Sequence, residues 1–400
     1  MTQTLTPPIK KKRLLSLDIL RGITVAGMIL VNNPGSWSHI YAPLRHAAWN
    51  GCTPTDLVFP FFVFCMGVAM YISHSKSNFD FNWDTARKII VRGLLIVLIG
   101  WGLSWYGMAL RQFIKGADFM TAMWTYPIEH IRYLGVFPRL GIVSAMAALL
   151  LMAFKPKNTP WVILTLLAGY CILISVTNSF ELNEENILSI VDLAVLGDGH
   201  MYHMGGIPFD PEGLLSTIPC IAHCLVGACV GMLLYNKDGI CGKYIKGEEP
   251  DNWVKVNRVF IFSAISLMAG FLLDYAYPIN KAMWSASYVL VTCGLAGLLL
   301  ALLIWIIDIK GNKKWCVFFE SFGVNPLFIF CLSAIFVYIM GVIKFDVAGK
   351  TYNVWSAWYR LCMQPLLGDN LGSLACALSL VFVLWLIAHP LYKKRIYIKI

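Results

Sequence analysis

A chain of 400 residues that is 58% hydrophobic and only 14% charged, with a mean hydropathy of +0.66, is too apolar for a soluble globular protein, which is usually about half apolar and a quarter charged. The net charge of +10 does not read as nucleic-acid binding, because the basic residues fall in short clusters between apolar runs and not along one soluble face. Recurring apolar runs of about 20 residues suit helices crossing a hydrocarbon core, and they are too long and continuous for the roughly ten-residue alternating strands of an outer-membrane barrel. The expected fold class is therefore an all-α polytopic membrane protein.

The first span is expected over 14–32, behind the basic cluster Lys10-Lys11-Lys12-Arg13. This start has the basic and hydrophobic regions of a signal peptide. The run ends in Asn32-Asn33-Pro34-Gly35 without an A-x-A-like cleavage site, however, and reads as an uncleaved span. Further spans are expected over 54–73, 89–110, 134–154, 160–178, 214–235, 256–275, 284–308, 317–341 and 371–390, about ten in all. With the N-terminus in the cytoplasm, 22 of the 32 Lys and Arg fall on the inside and nine outside, so the positive-inside rule places both termini in the cytoplasm. In a Gram-negative host the membrane would be the bacterial inner membrane and the opposite face periplasmic.

The longest outside segment, 179–213, carries Glu181, Glu184, Glu185, Asp192, Asp198, Asp210 and Glu212 and no Lys or Arg. It reads either as a solvated loop or as a cap over an outward-facing site. Trp, Tyr and Phe gather near span ends, as interfacial anchors do, and Gly227 with Gly231 forms a small-xxx-small pair suited to helix packing. The twelve cysteines lie mainly in apolar segments with no CxxC pair and read as small packing residues. His223 sits between Cys220 and Cys224 but lacks a second ligand pair, so no metal is expected. Without a soluble domain, long linker or clear repeat, residues 1–400 read as one membrane domain.

Chemistry is expected in the first outward loop, Leu44-Arg45-His46-Ala47-Ala48-Trp49-Asn50-Gly51, which re-enters at Thr53-Pro54-Thr55-Asp56. Thr53 as N-cap, Pro54 at the first helical position and Asp56 near the positive end of the dipole are all accounted for by a helix start. His46 is not, and an imidazole at the membrane surface can take a proton near neutral pH or carry an acyl group. Asn32, at the outer end of the first span, has an amide suited to a developing oxyanion or to orienting the imidazole, and Asn50 is its companion in the loop. Asp18 and Arg21 lie one turn apart inside the first span, where ionised groups must pair or line a polar path. Asn325 beside Pro326 poses the same choice in the ninth span. There is no Gly-rich phosphate loop, HExxH or GxSxG element.

Several segments, in order along nearly the whole chain, resemble the heparan-α-glucosaminide N-acetyltransferases and their bacterial relatives: SLDILRG (16–22), ILVNN (29–33), RHAAWNGCTPTDLVFPFFVFCMG (45–67), GVFPRLGI (135–142), FDPEGLLSTI (209–218), PINKAMWSASYV (278–289) and DIKG (308–311). The third and the PINKAMWSASY block are the most specific. The resemblance implies an enzyme that takes acetyl-CoA from the cytoplasm and acetylates the amino group of a glucosamine across the membrane. It places the catalytic histidine on His46 and the partner asparagine on Asn32. Arg21, Arg139 and Lys281 become candidates for polar contacts to donor or acceptor, alongside Asp18, Asn50, Asp56 and Asn325. A homodimer and no metal are implied, with the ten spans as the family's shared core and without the lysosomal enzyme's extra N-terminal lumenal segment and span. The stretch between Asn32 and His46 departs from the family in being longer and lacking its glycine run. His46 would act as general base or acetyl carrier. The alternatives are an amino-sugar or glycan-fragment transporter, since buried charges and broken helices also serve transport, and an O-acyltransferase of an envelope polysaccharide.

Overall fold

A computed structural model describes residues 14–236, 239 and 250–398. The Lys10–Arg13 cluster and Lys237, Lys243, Lys246 and Lys399 of the inside charge count lie outside the described residues. The chain is an all-α membrane protein, with helices α1 (Leu15–Asn32), α2 (Pro54–His74), α3 (Trp83–Ile114), α4 (Tyr126–His130), α5 (Val136–Val176), α6 (Ile187–Leu196), α7 (Leu214–Tyr235), α8 (Asn252–Asp274), α9 (Ala286–Leu303), α10 (Cys316–Val324), α11 (Pro326–Val342), α12 (Val354–Ala357), α13 (Gln364–Leu367) and α14 (Asp369–Lys393).

Among the described residues, eight helices are long and apolar enough to cross a membrane, and the α10–α11 pair, bent by 86°, makes a ninth. The difference from the ten expected spans lies in α5, whose 41 residues run through a break at Lys155 (φ 62°, ψ 153°). Pro156 disfavours helical geometry in the residue before it, and the Lys155 ammonium donates to Phe79 O at 2.7 Å. The two sides of that break are the expected 134–154 and 160–178 segments, so each expected span has its counterpart.

Burial sorts the helices. The apolar window of α7 is 94% buried, against 11% for α3 and 22% for α8, so α7 is surrounded by protein. The outer helices α3 and α8 instead present rows of exposed side chains such as Leu94, Leu95, Leu98, Ile261, Ile265 and Met268. In water these would be liabilities; against lipid tails they are the matching surface. The helices meet at glycines. A methyl on Gly67 would overlap Cys224 O of α7, and one on Gly227 would overlap Phe64 O of α2. Gly22 and Gly323 do the same for α1 and α10, each facing the other helix's backbone. Gly231 lies against the Tyr71 Cβ, so the Gly227/Gly231 pair packs α7 on α2 as its spacing predicts.

The acidic segment 179–213 is more ordered than a plain loop. It contains α6 and a small hairpin of β1 (His203–Met204) and β2 (Ile207–Pro208), paired His203 to Pro208 and Met204 to Ile207. A second hairpin, β3 (Lys344–Val347) with β4 (Lys350–Asn353), follows α11. Both turn on two residues at positive φ, Gly205-Gly206 and Ala348-Gly349, a geometry that matches the twist of paired strands.

Because backbone meets backbone at the α2–α7 crossing, Gly67→Val should force the helices apart. Overpacking of this kind typically destabilises by about 1–3 kcal/mol. The expected outcome is a lower melting temperature and a loss of monodisperse protein in detergent, measured by thermal unfolding and size-exclusion chromatography.

Candidate active site

The centre of the site is a carboxylate. Asp56 sits in the first turn of α2 with its side chain only 1% exposed, and a buried ionised group needs partners on every side. Its Oδ2 accepts from Thr53 N at 3.1 Å, Thr53 Oγ1 at 2.9 Å and Ala47 N at 3.0 Å. Its Oδ1 lies 2.6 Å from His46 Nδ1 and 3.2 Å from Lys281 Nζ. The helix start foreseen at Thr53-Pro54 is present, and its acidic residue does more than favour the dipole: it holds the histidine.

The protons follow from this arrangement. Lys281 Nζ, also 3.0 Å from His46 Nδ1, carries only donors, and a carboxylate carries only acceptors. Nδ1 cannot serve both at once; the Asp56 contact is the shorter, at 2.6 Å, and the Nδ1 hydrogen is assigned to it, with Lys281 donating to the same carboxylate oxygen. In the neutral ring this tautomer leaves Nε2 as the free nitrogen, on a side chain that is 43% exposed. Orientation of an imidazole by a buried carboxylate is the arrangement that makes histidine a base.

The loop that carries His46 is tied down along its length. Gly35 N and Ser36 N donate to Ser373 of α14, Trp355 Nε1 donates to Pro34 O at 3.0 Å, and Thr55 Oγ1 donates to Pro43 O at 3.2 Å. On the far side of His46, Trp49 Nε1 donates to Phe180 O at 2.9 Å and its ring meets Phe209 edge-on at 5.3 Å. Gly51 N donates to Ile279 O at 2.6 Å, and Asn280 Nδ2 donates to Asn50 Oδ1 at 3.2 Å. The acidic segment and the 278–289 block thus both dock on the histidine loop.

The structure brings His46, Asp56, Lys281 and Asn50 together. The bonds of Arg21, Arg139 and Asn325 run to other partners. Asn32 is exposed at the end of α1, and among the described residues its amide has no hydrogen-bond partner. Asp18 and Arg21 form an ion pair at 3.3 Å. Arg139 is fully buried, bonded to Pro211 O at 2.9 Å and to Ser216 Oγ, with its guanidinium 5.0 Å over the Trp284 ring. Asn325 spends its amide on the C-terminal tail, donating to Ile396 O and accepting from Ile398 N, both at 2.8 Å.

Arg21 also lines a cavity of about 500 Å³ with Arg92, His74, Met66, Ser144 and Ile398. Sequence reasoning took Arg92 for a topology charge and did not single out His74; their position at the inner end of apolar spans was the available signal. It also passed over Asn280, although that residue lies in the quoted PINKAMW block.

Near the site, burial pushes the Cys52 thiol up to about 12, and the negative Asp56 adds to the effect. A protonated thiol is a poor nucleophile, so acyl transfer through Cys52 is disfavoured at neutral pH. Under the acidic segment, Arg132 binds Asp210 at 2.5 Å and Glu212 at 2.5 Å. Burial pushes Glu212 upward, but Arg132 and Arg139 outweigh it and hold the carboxyl below its ordinary value. Asp192 shows the opposite balance. Its Oδ1 accepts from Leu214 N at 2.9 Å at the start of α7, while Oδ2 is buried and without a partner among the described residues. Burial pushes this carboxyl up to about 6, despite the Leu214 N–H and the two arginines; the Asp210 charge adds to the rise. Three or more metal-capable side chains do not converge anywhere among the described residues.

The family model for the catalytic part of heparan-alpha-glucosaminide N-acetyltransferase matches residues 13–273. Proteins named heparan-alpha-glucosaminide N-acetyltransferase from Homo sapiens and Mus musculus are each 25% identical to this chain, over 446 and 444 residues, across 97% of its length. The chain spans 60% of the length of each of these curated relatives.

Asp192 gives a pH dependence. Its folded pKa of about 6 exceeds the ordinary 3.8, so between these values the folded state binds more protons and stability falls as pH rises. Thermal unfolding followed from pH 5 to 7.5 should show this loss. Asp192→Asn, which keeps an acceptor for Leu214 N, should flatten that arm and raise the melting temperature at pH 7.5 by a few degrees.

Proposed function

The chain belongs to the heparan-α-glucosaminide N-acetyltransferase family, and on that premise we propose that it is a transmembrane N-acetyltransferase carrying acetyl from cytoplasmic acetyl-CoA to the amino group of a glucosamine-type sugar at the periplasmic face of the bacterial inner membrane. The observation that carries this reading is the pairing of two features on one helix. At one end of α2 stands His46, oriented by buried Asp56 and Lys281; the inner half of the same helix, from Phe62 to His74, walls the cavity with the Arg21 and Arg92 cations.

At a rise of about 1.5 Å per residue, that wall runs from about 9 Å to about 27 Å below Asp56. An extended donor fits such a path, with its phosphates toward Arg92 and Arg21 and its thioester toward His46. The hydrocarbon core is itself about 30 Å thick. Asp18 orients Arg21, and Asn325, through the tail it clasps, sets the wall that Ile398 contributes. On the acceptor side, the acidic residues of 179–213 supply a negative field that draws an ammonium to the mouth of the site.

In the reaction the acceptor ammonium first gives one proton to solvent, which exposes its lone pair, and His46 Nε2 then removes a second proton from the nitrogen as it attacks the thioester carbonyl. The N–C bond forms, the C–S bond breaks, and the CoA thiolate takes the proton from the imidazolium. Asp56 stabilises that imidazolium, Lys281 balances the carboxylate, and Asn50 fixes the loop through Asn280. Arg139 supports the site from below through Trp284. Asn32, with its amide uncommitted, is assigned the developing oxyanion. Where no acceptor is present, the same Nε2 is the atom that would carry the acetyl group. The inside-rich charge pattern supports cytoplasmic termini, and the family resemblance supports a homodimer.

The test is transfer of label from acetyl-CoA to glucosamine by the purified, detergent-solubilised protein. His46→Ala should lower the rate by about 100- to 10,000-fold, and Asp56→Asn by about 100-fold or more, with the fold retained by thermal unfolding. Undiminished transfer by His46→Ala, or a wild-type protein that neither binds nor consumes acetyl-CoA, overturns the proposal. In the second case a transporter is the better account.

A further inference from the structure

The helix that carries Asp56 has a defect four residues on. In a regular helix the Asp56 carbonyl accepts from the backbone N–H of residue 60, but residue 60 is Pro60, inside α2, and proline has no N–H to give. A carbonyl stranded in this buried turn would go unpaired at a penalty of about 1–3 kcal/mol. It is not stranded. Tyr288 OH, from the first turn of α9, donates to Asp56 O at 2.6 Å, and the Tyr288 side chain is completely buried.

The origin of this hydroxyl matters. Tyr288 belongs to a tightly wired segment running from Asn280 into α9. Asn280 N and Tyr288 N both donate to Ser285 Oγ, at 3.0 and 3.3 Å, and Asn280 Oδ1 accepts from Met283 N at 2.9 Å. Trp284, at the left-handed φ of 54°, is held edge-on between Phe59 of α2 and Tyr288 itself. Lys281 comes off the same knot. One segment therefore grips one residue twice: Lys281 on the carboxylate of Asp56 and Tyr288 on its carbonyl.

We infer that Tyr288 is a positioning residue for acetyl transfer. Pro60 surrenders a local helical bond, and Tyr288 replaces it with a bond to another helix, so the register of Asp56 is set by α9 as well as by its own turn. Since His46 Nδ1 is 2.6 Å from that carboxylate, a shift of Asp56 is passed directly to the imidazole. The inference rests on the reading of His46 as the catalytic base. Tyr288 itself touches neither donor nor acceptor; it acts through Asp56.

The experiment uses the full-length protein in detergent with acetyl-CoA and glucosamine. Tyr288→Phe removes only the hydroxyl and should lower kcat by about 10- to 100-fold, the scale on which small misplacements act, with the KM for acetyl-CoA little changed. The distinguishing variant is Tyr288→Phe combined with Pro60→Ala. The alanine restores the backbone N–H that the Asp56 carbonyl lacks and should recover most of the lost rate, which a merely structural tyrosine would not allow. A parallel readout independent of turnover is the rate of His46 carbethoxylation by diethyl pyrocarbonate, followed by peptide mass mapping; it should change in Tyr288→Phe and return in the double variant. Wild-type kcat in Tyr288→Phe, or a loss that Pro60→Ala does not repair, overturns the inference. If the wild type transfers no acetyl group, the functional reading falls, and the carbethoxylation series alone decides whether Tyr288 positions the His46–Asp56 pair.

Discussion

One buried carboxylate organises the end of the protein that carries His46. The Asp56 carboxylate is out of contact with water, and an uncompensated carboxylate in such surroundings is expensive enough to neutralise itself or unfold its neighbourhood. Here five donors converge on it from three directions: the histidine loop through Ala47 and His46, the N-cap residue Thr53, and the 278–289 block through Lys281. Satisfying the charge and assembling the site are one and the same event. The loop cannot take another course without stranding the carboxylate, and the lysine cannot leave without unbalancing it.

The membrane sets the second constraint. Helix α2 runs the length of this frame, with the Asp56 carboxylate in its first turn and the basic cavity along its other half. Its neighbour α7 is buried nearly all round while α3 and α8 present exposed apolar rows, and α3 also lends Ile89, Arg92 and Ile96 to the cavity wall. At the kinked and broken elements, Lys155 in α5 and Asn325 between α10 and α11, the side chains tie distant segments together: the Lys155 ammonium donates to Phe79 O, and the Asn325 amide holds the C-terminal tail.

Much of the fold was legible because lipid makes hydrophobicity an explicit signal. Every expected span has a helical counterpart, and the helix start at Thr53-Pro54 falls where cap chemistry puts it. The two hairpins were not legible: strands of two to four residues leave no periodicity, and only the Gly205-Gly206 and Ala348-Gly349 turns mark them. Within the site, His46 stood out as a residue no local rule explained. Asp56 did not, because a capping role accounts for an acidic residue in a first turn, and sequence carries no sign that its second oxygen reaches a histidine ten positions earlier. Lys281, Asn280 and Tyr288 are more than 220 residues from that helix start, and their convergence is a product of tertiary packing. Asn325 was singled out for its polarity beside Pro326 in an apolar span, and Arg139 as a candidate contact to donor or acceptor; their hydrogen bonds run to the tail and to Pro211 and Ser216.

The glycine crossing of α2 and α7 has a mechanical consequence. Where two helices meet through Gly67 and Gly227 with backbone against backbone, no layer of side chains lies between them to change rotamer and let one slide past the other. The pair is a strut. The cavity draws its other walls from α1, α3, α5, the bent α10–α11 junction and the tail residue Ile398, so a change in its shape falls to those elements while α2 keeps its seat on α7.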